Sequence, residues 1–538
     1  MISQQKKNIA KALIGLIIII HVIPYGYNRS LWFDEAMLAS SIMTRNYTDL
    51  VAFPLDWGQS APVGYLYIVK ALSNILGGNE FSLRLWSLIS FLGCFFFLYK
   101  ILHSVVQVKH PLLFALVFGM VPYYIYYSNE LKQYMSDNMF VLLSLLLFGL
   151  YCKGNLSLLK ITMMYSVIIW FSFSAVFYIA ACMIIIVSGI IVNAIKKNKL
   201  YSMLTLKKCS LCLIVAASFI VNYCLWLSPT SENAGGSAYW DLLRFRFFPI
   251  SIQDIKFKAN MFSHILRPIL SVNYIFLYSL SILSLLSLYK MFRTKGILCP
   301  YLGAIMLGCF MMLVASNLGF FPIQDRLVQF IPILIIISAA IGFDEVEKSL
   351  QHRVSLHIGK KKISGDFIAI CALLCWLLIV PFRQCIIQVH PEFVYRSGSE
   401  VSASMEYLSN NLRPEDMIYV SRGGIPVFLY ETNYQYTDNI CQYQWSWERP
   451  CTVGQCIYGQ DTKVMDYRIP YSYAGHLNDD AIAEDTELLR QYPSVYIFTS
   501  HNDDGAKRIA EALEQYGSVQ EVSRFYNTSL YYYSKKQS

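Results

Sequence analysis

Two adjacent carboxylates follow the first apolar run of this sequence. Asp34 and Glu35 stand in "SLWFDEAMLASS", where aromatic and aliphatic residues flank them. A carboxylate in a partly dry pocket can act as a general base and accept a proton from a substrate hydroxyl. Carboxylates at the start of a helix also stabilise the helix dipole. The segment by itself leaves both roles open.

Three later segments hold basic residues that can bind an anion. Arg84 lies in "EFSLRLWS", Lys132 in "YYSNELKQY" and Arg326 in "FPIQDRLVQF". A guanidinium can contact two oxygens of a phosphate at once, whereas an ammonium acts as a point charge. Simpler roles are open as well. Either arginine can anchor a helix end at a membrane surface, and Lys132 can pair with Glu130 in a solvated turn.

The composition indicates the environment in which these residues work. Of the 538 residues, 55% are hydrophobic and 15% are charged. A soluble protein has roughly 25% charged residues, so the chain is expected to be an integral membrane protein whose partner is the lipid bilayer. The net charge of +9 is then a signal of membrane topology, and we expect no nucleic-acid partner.

Eleven apolar runs are close to the roughly 20 residues that cross a hydrocarbon core about 30 Å thick. They cover residues 9–23, 81–102, 112–126, 135–151, 158–171, 174–195, 209–227, 269–289, 298–315, 327–343 and 367–387. Lys6 and Lys7 precede the first run, as in a signal peptide, but "VIPYGYNRS" contains no small-x-small cleavage site. We therefore expect the first run to be an uncleaved membrane helix.

The loops between the runs differ in charge from one side to the other. Lysine and arginine concentrate at the N-terminus and in the loops that eleven spans place on the same side. By the positive-inside rule that side faces the cytoplasm. The opposite side then holds loops 24–80, 127–135, 228–268 and 316–326 and the C-terminal tail. The charged motifs would therefore share the extracytoplasmic face, and the two termini would lie on opposite sides.

The C-terminal tail differs in pattern from the rest of the chain. It predicts helices in "SASMEYLSNNL", "GIPVFLY" and "DGAKRIAEALEQYG" and strands in "DMIYVS", "SVYIFTS" and "TSLYYYS". The predicted fold is a polytopic α-helical membrane protein with about 11 transmembrane helices in residues 1–389, followed by a C-terminal extracytoplasmic α/β domain in residues 390–538. A disulfide among Cys441, Cys451 and Cys456 is left open.

Four motifs give the membrane region a resemblance to a known family. "LWFDEA", "QSAPVGYLYIVKAL", "YYSNELKQYM" and "FPIQDRLVQFIP" occur in this order and on the same predicted side. In these motifs the chain resembles the polyprenol-phosphate-sugar-dependent glycosyltransferases of the GT-C fold, in particular bacterial relatives of protein O-mannosyltransferases and of lipid A aminoarabinose transferases. The resemblance covers about residues 1–345 and is densest in the first 140.

This resemblance implies an activity and a location. The expected activity is transfer of a sugar from a polyprenyl-phosphate-sugar donor to a hydroxyl of a lipid, glycan or protein acceptor, with inversion of the anomeric centre. The expected location is the bacterial inner, or cytoplasmic, membrane, with the active site outside. Polyprenyl phosphate is the leaving group, which agrees with the lack of a glycine-rich phosphate loop in the sequence.

The resemblance also implies a role for each motif. Asp34 would be the general base, and Glu35 beside it would be catalytic or would hold a partner. Arg326, Lys132 and Arg84 would stabilise the charge of the departing phosphate. The other residues predicted to bind substrate are Glu130, Asp56, Gln59 and Tyr127, the last by stacking on a sugar.

A divalent metal ion is the one cofactor that the resemblance raises. Some relatives have a histidine or a second acidic pattern after the first outer loop, whereas this chain reads "DWGQSAPVG", with Asp56 and Gln59 and no histidine. The candidate metal ligands are Asp34 and Glu130. The sequence leaves metal dependence open.

Two other classes of membrane protein remain as alternatives. A solute transporter or lipid flippase is typically built from repeats with polar groups near the middle of the membrane, and no repeat is evident in this sequence. A glycan polymerase or O-antigen ligase is expected to depend on arginine and histidine in a large outer loop. Loop 228–268 does contain such residues, namely Arg244, Arg246, His264 and Arg267.

Overall fold

Helices dominate the first 353 residues. The computed structural model describes residues 2–200, 202–229, 243–247, 252–293, 296–353, 355–358, 361–364, 382–396, 400–413, 416–420, 424–434, 456–459, 462–466, 479–500, 504–525 and 527–536. The helices up to residue 353 are α1 (Ile2–Gly26), α2 (Phe33–Thr44), α3 (Asp49–Ala52), α4 (Val63–Leu76), α5 (Glu80–Lys100), α6 (Pro111–Gly119), α7 (Pro122–Tyr127), α8 (Tyr134–Cys152), α9 (Leu158–Ile168), α10 (Ala175–Lys196), α11 (Met203–Asn222), α12 (Ile252–Leu270), α13 (Tyr274–Arg293), α14 (Leu298–Asn317) and α15 (Phe330–Arg353).

Seven of the eleven predicted spans correspond to helices that are long and apolar enough to cross a membrane. Within the described part of the chain these are Lys7–Gly26, Glu80–Val106, Tyr134–Cys152, Ala175–Lys196, Thr205–Leu227, Tyr274–Met291 and Leu298–Asn317. The polytopic helical fold predicted from composition is therefore confirmed.

Three of the other four predicted spans differ from simple membrane helices in the described part of the chain. The run 112–126 is divided between α6 and α7, because Pro122 lacks the amide hydrogen that a continuous helix needs and instead occupies the first position of α7. The run 158–171 is reduced to α9, a helix of 11 residues. The run 327–343 lies in α15, whose last turns are charged. Most of the run 367–387 lies outside the described residues, although residues 382–389 are helical.

Two structural features fix the start of α5, which holds Arg84. Gly77 and Gly78 have φ of +94° and +70° and end α4, since residues without a Cβ adopt this left-handed conformation at low cost. The side chain of Asn79 then caps α5 by accepting a hydrogen bond from the Ser82 amide at 3.0 Å. Arg84 therefore lies at the start of the second turn of α5.

The charged loops segregate into two groups, as the alternation of charge predicts. One group is basic and contains the ion pairs Lys109–Glu347, at 3.1 Å, and Lys290–Glu345, at 2.8 Å. The other group contains the loops with Asp34, Lys132 and Arg326, at the opposite ends of the helices. The N-terminal end of α8 belongs to the second group and its C-terminal end to the first. We call these two groups the acidic-motif face and the basic face.

The C-terminal part contains a mixed sheet. Its helices are α16 (Pro391–Arg396), α17 (Ser402–Asn411), α18 (Ile425–Glu431), α19 (Asp479–Leu489) and α20 (Asp504–Leu513), and the strands of the chain are β1 (Ser355–Ile358), β2 (Lys361–Ser364), β3 (Met417–Val420), β4 (Cys456–Gly459), β5 (Thr462–Asp466), β6 (Ser494–Ser500), β7 (Gly517–Phe525) and β8 (Thr528–Lys535). Strands β3 to β8 form the order β4-β5-β3-β6-β8-β7. The central strand β3 runs parallel to β5 and β6, whereas the other pairs are antiparallel. The predicted α/β character of the tail is confirmed. Cys441 and Cys451 lie outside the described residues, as does the side chain of Cys456.

The two faces of this sheet pack against different parts of the chain. On β3 and β6, Met417 and Ile497 pack with the helices α19 and α20. Their neighbours Ile418 and Phe498 join a second cluster that contains Leu31 and Ala36 of the first outer loop. Successive side chains of a strand point to opposite faces, so both faces are buried. The C-terminal part is thereby packed directly over the acidic-motif face.

Candidate functional site

Asp34 lies where three segments of the acidic-motif face meet. It is in the first turn of α2, after the extended residue Trp32. Arg326 Nη1 donates a hydrogen bond to Asp34 Oδ2 at 2.6 Å, and Lys132 Nζ lies 3.7 Å from Asp34 Oδ1. The three residues are far apart in sequence, and the fold brings them to one partly buried position.

The two basic residues at Asp34 have supports of their own. Lys132 Nζ donates a hydrogen bond to Gln59 Oε1, which ties Gln59 to the same site. Arg326 Nε donates to Gln324 Oε1 at 2.9 Å. Arg267 pairs with Asp325 at 2.9 Å and so holds the short turn Asp325–Leu327 that presents Arg326. In the sequence, Arg267 is only one of several basic residues in loop 228–268. In the fold, its ion pair with Asp325 helps to position the turn that carries Arg326.

The positive charges keep Asp34 ionised. Burial would raise the pKa of its carboxyl group, but the charges of Lys132 and Arg326 outweigh burial and lower this pKa. Burial lowers the pKa of the Lys132 ammonium, although the Asp34 carboxylate opposes that shift. The site is therefore an ionised carboxylate held between two cations, both of which can also bind an anion.

Glu35 points away from Asp34 into a separate network. Consecutive residues of a helix project about 100° apart, so the two carboxylates face different surroundings. Glu35 is 0% exposed and accepts hydrogen bonds from Arg29 Nη1 at 2.8 Å, from Arg84 Nε at 2.8 Å and from the Leu131 amide at 2.7 Å. Burial would raise the pKa of Glu35, but Arg29 and Arg84 lower it. Glu35 thus joins the first outer loop to α5 and to the loop before α8.

Arg84 is fully occupied by the same network. Its Nη2 contacts Glu35 Oε2 at 2.7 Å, and its Nη1 donates to the carbonyl oxygen of Arg29 at 2.6 Å. The structure therefore places Arg84 behind the site, where its guanidinium binds protein oxygens. It does not bring Arg84 to Asp34 together with Lys132 and Arg326.

Glu130 lies between the two networks. Its Oε1 accepts a hydrogen bond from Trp32 Nε1 at 3.1 Å, whereas its Oε2 is buried and has no hydrogen-bond partner among the described residues. Burial and then the negative charges of Glu35 and Asp34 raise its pKa. The raised pKa, about 8, favours the neutral form of Glu130 at pH 7, and its Oε2 has no partner among the described residues.

The remaining predicted residues, Asp56 and Tyr127, lie at the edge of the site. Asp56 accepts hydrogen bonds from Arg45 and from Ser41 Oγ, the latter at 2.9 Å, and so braces α2. Tyr127 packs in a group of tyrosine rings, 5.6 Å from the ring of Tyr134. The guanidinium of Arg326 lies 5.9 Å from that same Tyr134 ring. Asp56 is therefore placed as a support, and Tyr127 as part of an aromatic wall beside Arg326.

The described residues do not fit a metal centre at Asp34. Within the described ranges no group of three or more histidine, cysteine or acidic side chains is arranged to hold an ion. Asp34 and Glu130 would supply two carboxyl groups, of which Glu130 is neutral at neutral pH. Lys132 and Arg326 lie against Asp34 and would repel a cation.

A second group of acids joins the C-terminal part to the first outer loop. Glu400 accepts hydrogen bonds from the amide and the hydroxyl of Ser30, at 3.1 and 2.8 Å. The pKa of Glu431, at the end of α18, is raised to about 7, first by burial and then by the negative charges of Glu80 and Glu400. Glu431 therefore loses its proton near neutral pH at a contact that holds the two parts together.

We expect the stability of the protein to depend on pH through Glu431. Its pKa is about 7 in the folded protein against an ordinary 4.5, so the folded state binds the proton more tightly. The contribution of Glu431 to the stability of the protein is then greatest below about pH 4.5 and is lost as the pH rises to about 7. Thermal unfolding measured from about pH 5 to about pH 8 should show this loss, and Glu431→Gln should reduce it. Glu406→Gln, at an exposed position of α17, is the control, and equal pH dependence of the Glu431→Gln variant and wild type would contradict the prediction.

The overall fold matches that of ArnT, which has the GT-C fold that the sequence motifs predict. The chain is similar over nearly its whole length to ArnT, a lipid A aminoarabinose transferase, from Cupriavidus metallidurans. The apo crystal structure of that ArnT matches with a TM-score of 0.53 and 10% identity, covering 99% of this chain and 98% of ArnT. The structure of the same ArnT bound to undecaprenyl phosphate matches with a TM-score of 0.50 and 10% identity, covering 97% of each chain. No family model matches the sequence, and no curated protein matches it.

Two residues of the site were missed by sequence reasoning. Arg29 pairs with Glu35, and Trp32 donates its indole hydrogen to Glu130. Arg29 stands in "YNRSLW", just before the acidic pair. An arginine in a short linker beside two acids was the available signal for a partner. Nothing in the sequence indicated that Trp32 would face Glu130.

Proposed function

We propose that the protein is a membrane glycosyltransferase that transfers a sugar from a polyprenyl-phosphate-sugar donor to a hydroxyl of a lipid, glycan or protein acceptor. The observation on which this rests most is the ion cluster of Asp34, Lys132 and Arg326 in a GT-C fold. An isolated ion pair would need only one cation. Two cations around one carboxylate can instead bind an anionic ligand, such as a phosphate, which replaces the carboxylate as their partner. The ArnT of the same fold has been solved with undecaprenyl phosphate bound.

The proposed reaction uses the cluster in two ways. The donor phosphate binds Lys132 and Arg326, which stabilise the negative charge that grows as the bond between the anomeric carbon and the phosphate oxygen breaks. Asp34 then loses its two neutralising contacts, so its pKa rises and it becomes a better base. The acceptor hydroxyl attacks the anomeric carbon from the opposite face, and its proton passes to Asp34. The product is an inverted glycoside, and polyprenyl phosphate is released.

Glu130 completes the proposed site as a hydrogen-bond donor. Its neutral carboxyl group and unpartnered Oε2 lie next to Asp34 and behind Trp32. A buried polar atom without a partner costs free energy, so a ligand that supplies one binds more tightly. We assign Glu130 to a hydroxyl of the sugar or of the acceptor. Gln59 accepts a hydrogen bond from Lys132, and Tyr127 packs against Tyr134 beside Arg326, whereas Glu35, Arg84 and Asp56 hold the surrounding loops.

We place this site on the extracytoplasmic side of the cell membrane. The basis is the basic face at the other ends of the helices, which the positive-inside rule assigns to the cytoplasm. The C-terminal part packs over the acidic-motif face, so it belongs to the same side. A phosphatase reporter fused after Ser538 should therefore be active outside the cytoplasm. A reporter active only in the cytoplasm would overturn the orientation.

Donor binding gives the most direct test of the proposal. Purified protein should release polyprenyl phosphate from at least one member of a panel of undecaprenyl-phosphate sugars when an acceptor is present. Arg326→Ala should weaken donor binding on the order of 10- to 100-fold, because a charge-assisted hydrogen bond to the phosphate is lost. The donor affinity of Arg326→Lys should lie between those of wild type and Arg326→Ala. Lysine keeps the positive charge but cannot contact two phosphate oxygens at once.

The control for this test is Arg293→Ala, which removes an exposed arginine from the end of α13 at the basic face. It should leave donor affinity unchanged. Equal donor affinity of Arg326→Ala and wild type would reduce Arg326 to a membrane anchor. Absence of polyprenyl phosphate release from every donor would contradict the proposed function itself.

A further inference from the structure

A second cavity lies at the basic face, far from Asp34. Its volume is about 500 Å³, within the usual range for ligand sites, and it is bordered by α8, α10 and α11. The acidic-motif face lies at Tyr134, the first residue of α8, and the cavity lies at Cys152, its last residue. The two sites are therefore separated by roughly 28 Å, the length of this helix. The proposed transfer reaction does not use the cavity.

The cavity has an apolar wall and a basic rim. Phe148, Ile186 and Ile190 line its wall, and Lys197, Lys199 and Lys208 line its rim. All three lysines are exposed, and no ion pair with a carboxylate is recorded for any of them within the described part of the chain. The sequence gives the reason, because no aspartate or glutamate occurs between Asp137 and Glu232. The rim is thus positively charged without a local partner.

This combination selects a ligand with one anionic end and one apolar end. Positive charge near the cytoplasmic end of membrane helices attracts the phosphate of anionic lipids. Lysine side chains can place their ammonium groups at headgroup depth while their stems lie against apolar surface. A soluble anion would interact favourably with the lysines of the rim but not with the apolar wall. An acyl chain would bury apolar surface against that wall.

We propose that this cavity binds an anionic glycerophospholipid, with its phosphate between Lys197, Lys199 and Lys208 and an acyl chain along α8 and α10. The lipid acts as a bound component of the basic face. The site is independent of the donor site, because its residues and the helix ends that present them are different. Zwitterionic lipids fit the wall equally well but lack the net negative charge that the rim selects.

A glycine in the cavity permits a test that leaves the lysines in place. Gly189 lines the cavity, and a Cβ at this position would meet nothing within 4 Å. The first side-chain atom of Gly189→Leu therefore lies in open space, and the longer side chain should occupy room that the acyl chain would fill. Gly15→Leu is the matched control, since a Cβ at Gly15 also meets nothing within 4 Å and Gly15 lies in α1, outside the cavity.

The experiment measures lipid retention by native mass spectrometry of the purified full chain in detergent. Wild type should retain phosphatidylglycerol in preference to phosphatidylcholine. The triple variant Lys197→Ala, Lys199→Ala, Lys208→Ala should lose this retention by about 100-fold. The triple variant Lys160→Ala, Lys196→Ala, Lys207→Ala removes the same charge from lysines that do not line the cavity, and it should retain the lipid.

Each outcome decides between the proposal and another explanation. Loss of phosphatidylglycerol in Gly189→Leu but not in Gly15→Leu supports an acyl chain in the cavity. Equal loss of phosphatidylglycerol in both triple variants would show that the lipid responds only to the overall positive charge, which would contradict a specific binding site. Displacement of phosphatidylglycerol by inorganic phosphate at equal concentration would show an anion site rather than a lipid site. Equal retention of phosphatidylcholine and phosphatidylglycerol by wild type would overturn the proposal as well.

Discussion

Asp34→Asn should abolish sugar transfer while the protein stays folded. The substitution keeps the shape of the side chain and a carbonyl oxygen that can accept the hydrogen bond from Arg326, now 2.6 Å from Asp34. It removes the carboxylate that we propose as the general base for the acceptor hydroxyl. A positioned general base contributes on the order of 100- to 10,000-fold to a rate, so kcat should fall by at least that factor.

The same variant should not weaken donor binding. The negative charge of Asp34 competes with the donor phosphate for Lys132 and Arg326, so its removal leaves both cations free to bind the phosphate. Donor affinity should therefore be equal to wild type or higher, whereas kcat is lost. Asp49→Asn, at a partly exposed position of the same loop where the side chain accepts a hydrogen bond from Asn46, is the control and should transfer normally. Full activity of purified Asp34→Asn would remove Asp34 from the mechanism.

Glu35→Gln should act mainly on stability, whereas Asp34→Asn should act mainly on catalysis. It leaves the buried guanidinium groups of Arg29 and Arg84 without a countercharge, although both are nearly inaccessible to water. Breaking a buried ion pair by removing one partner costs about 3–5 kcal/mol. We expect the thermal unfolding midpoint of the purified protein to fall, and the loops that hold Asp34 and Lys132 to lose their arrangement.

A double-mutant cycle separates this structural role from a catalytic one. The combined Glu35→Gln and Arg84→Gln variant should cost less free energy of unfolding than the sum of the two single variants, because each removes the same pair. Asp34→Asn is the natural comparison, since it changes the neighbouring carboxylate and should leave the unfolding midpoint close to wild type. If Glu35→Gln kept its stability but lost kcat, Glu35 would belong to the chemistry instead.

Local patterns were sufficient to predict much of the fold. Seven of the eleven apolar runs and the strands "DMIYVS" and "SVYIFTS" depend on nearby residues, and these predictions were confirmed. The division of the run 112–126 was missed because periodicity and hydrophobicity continue through Pro122. Proline was the signal, and its effect on the backbone was given too little weight.

The sequence determined which residues could do chemistry, and the tertiary structure decided which of them meet. The types and order of the charged motifs pointed to Asp34, Lys132 and Arg326, because these residues lie in the motifs that carry the family resemblance. The sequence could not show which of Asp34 and Glu35 faces the candidate site, because this depends on which face of α2 meets the protein interior. Packing turned Glu35 toward Arg29 and Arg84 and left Asp34 facing Lys132 and Arg326. Contacts between residues distant in sequence are set by how helices pack, and this is why only the folded chain separates a support from a site.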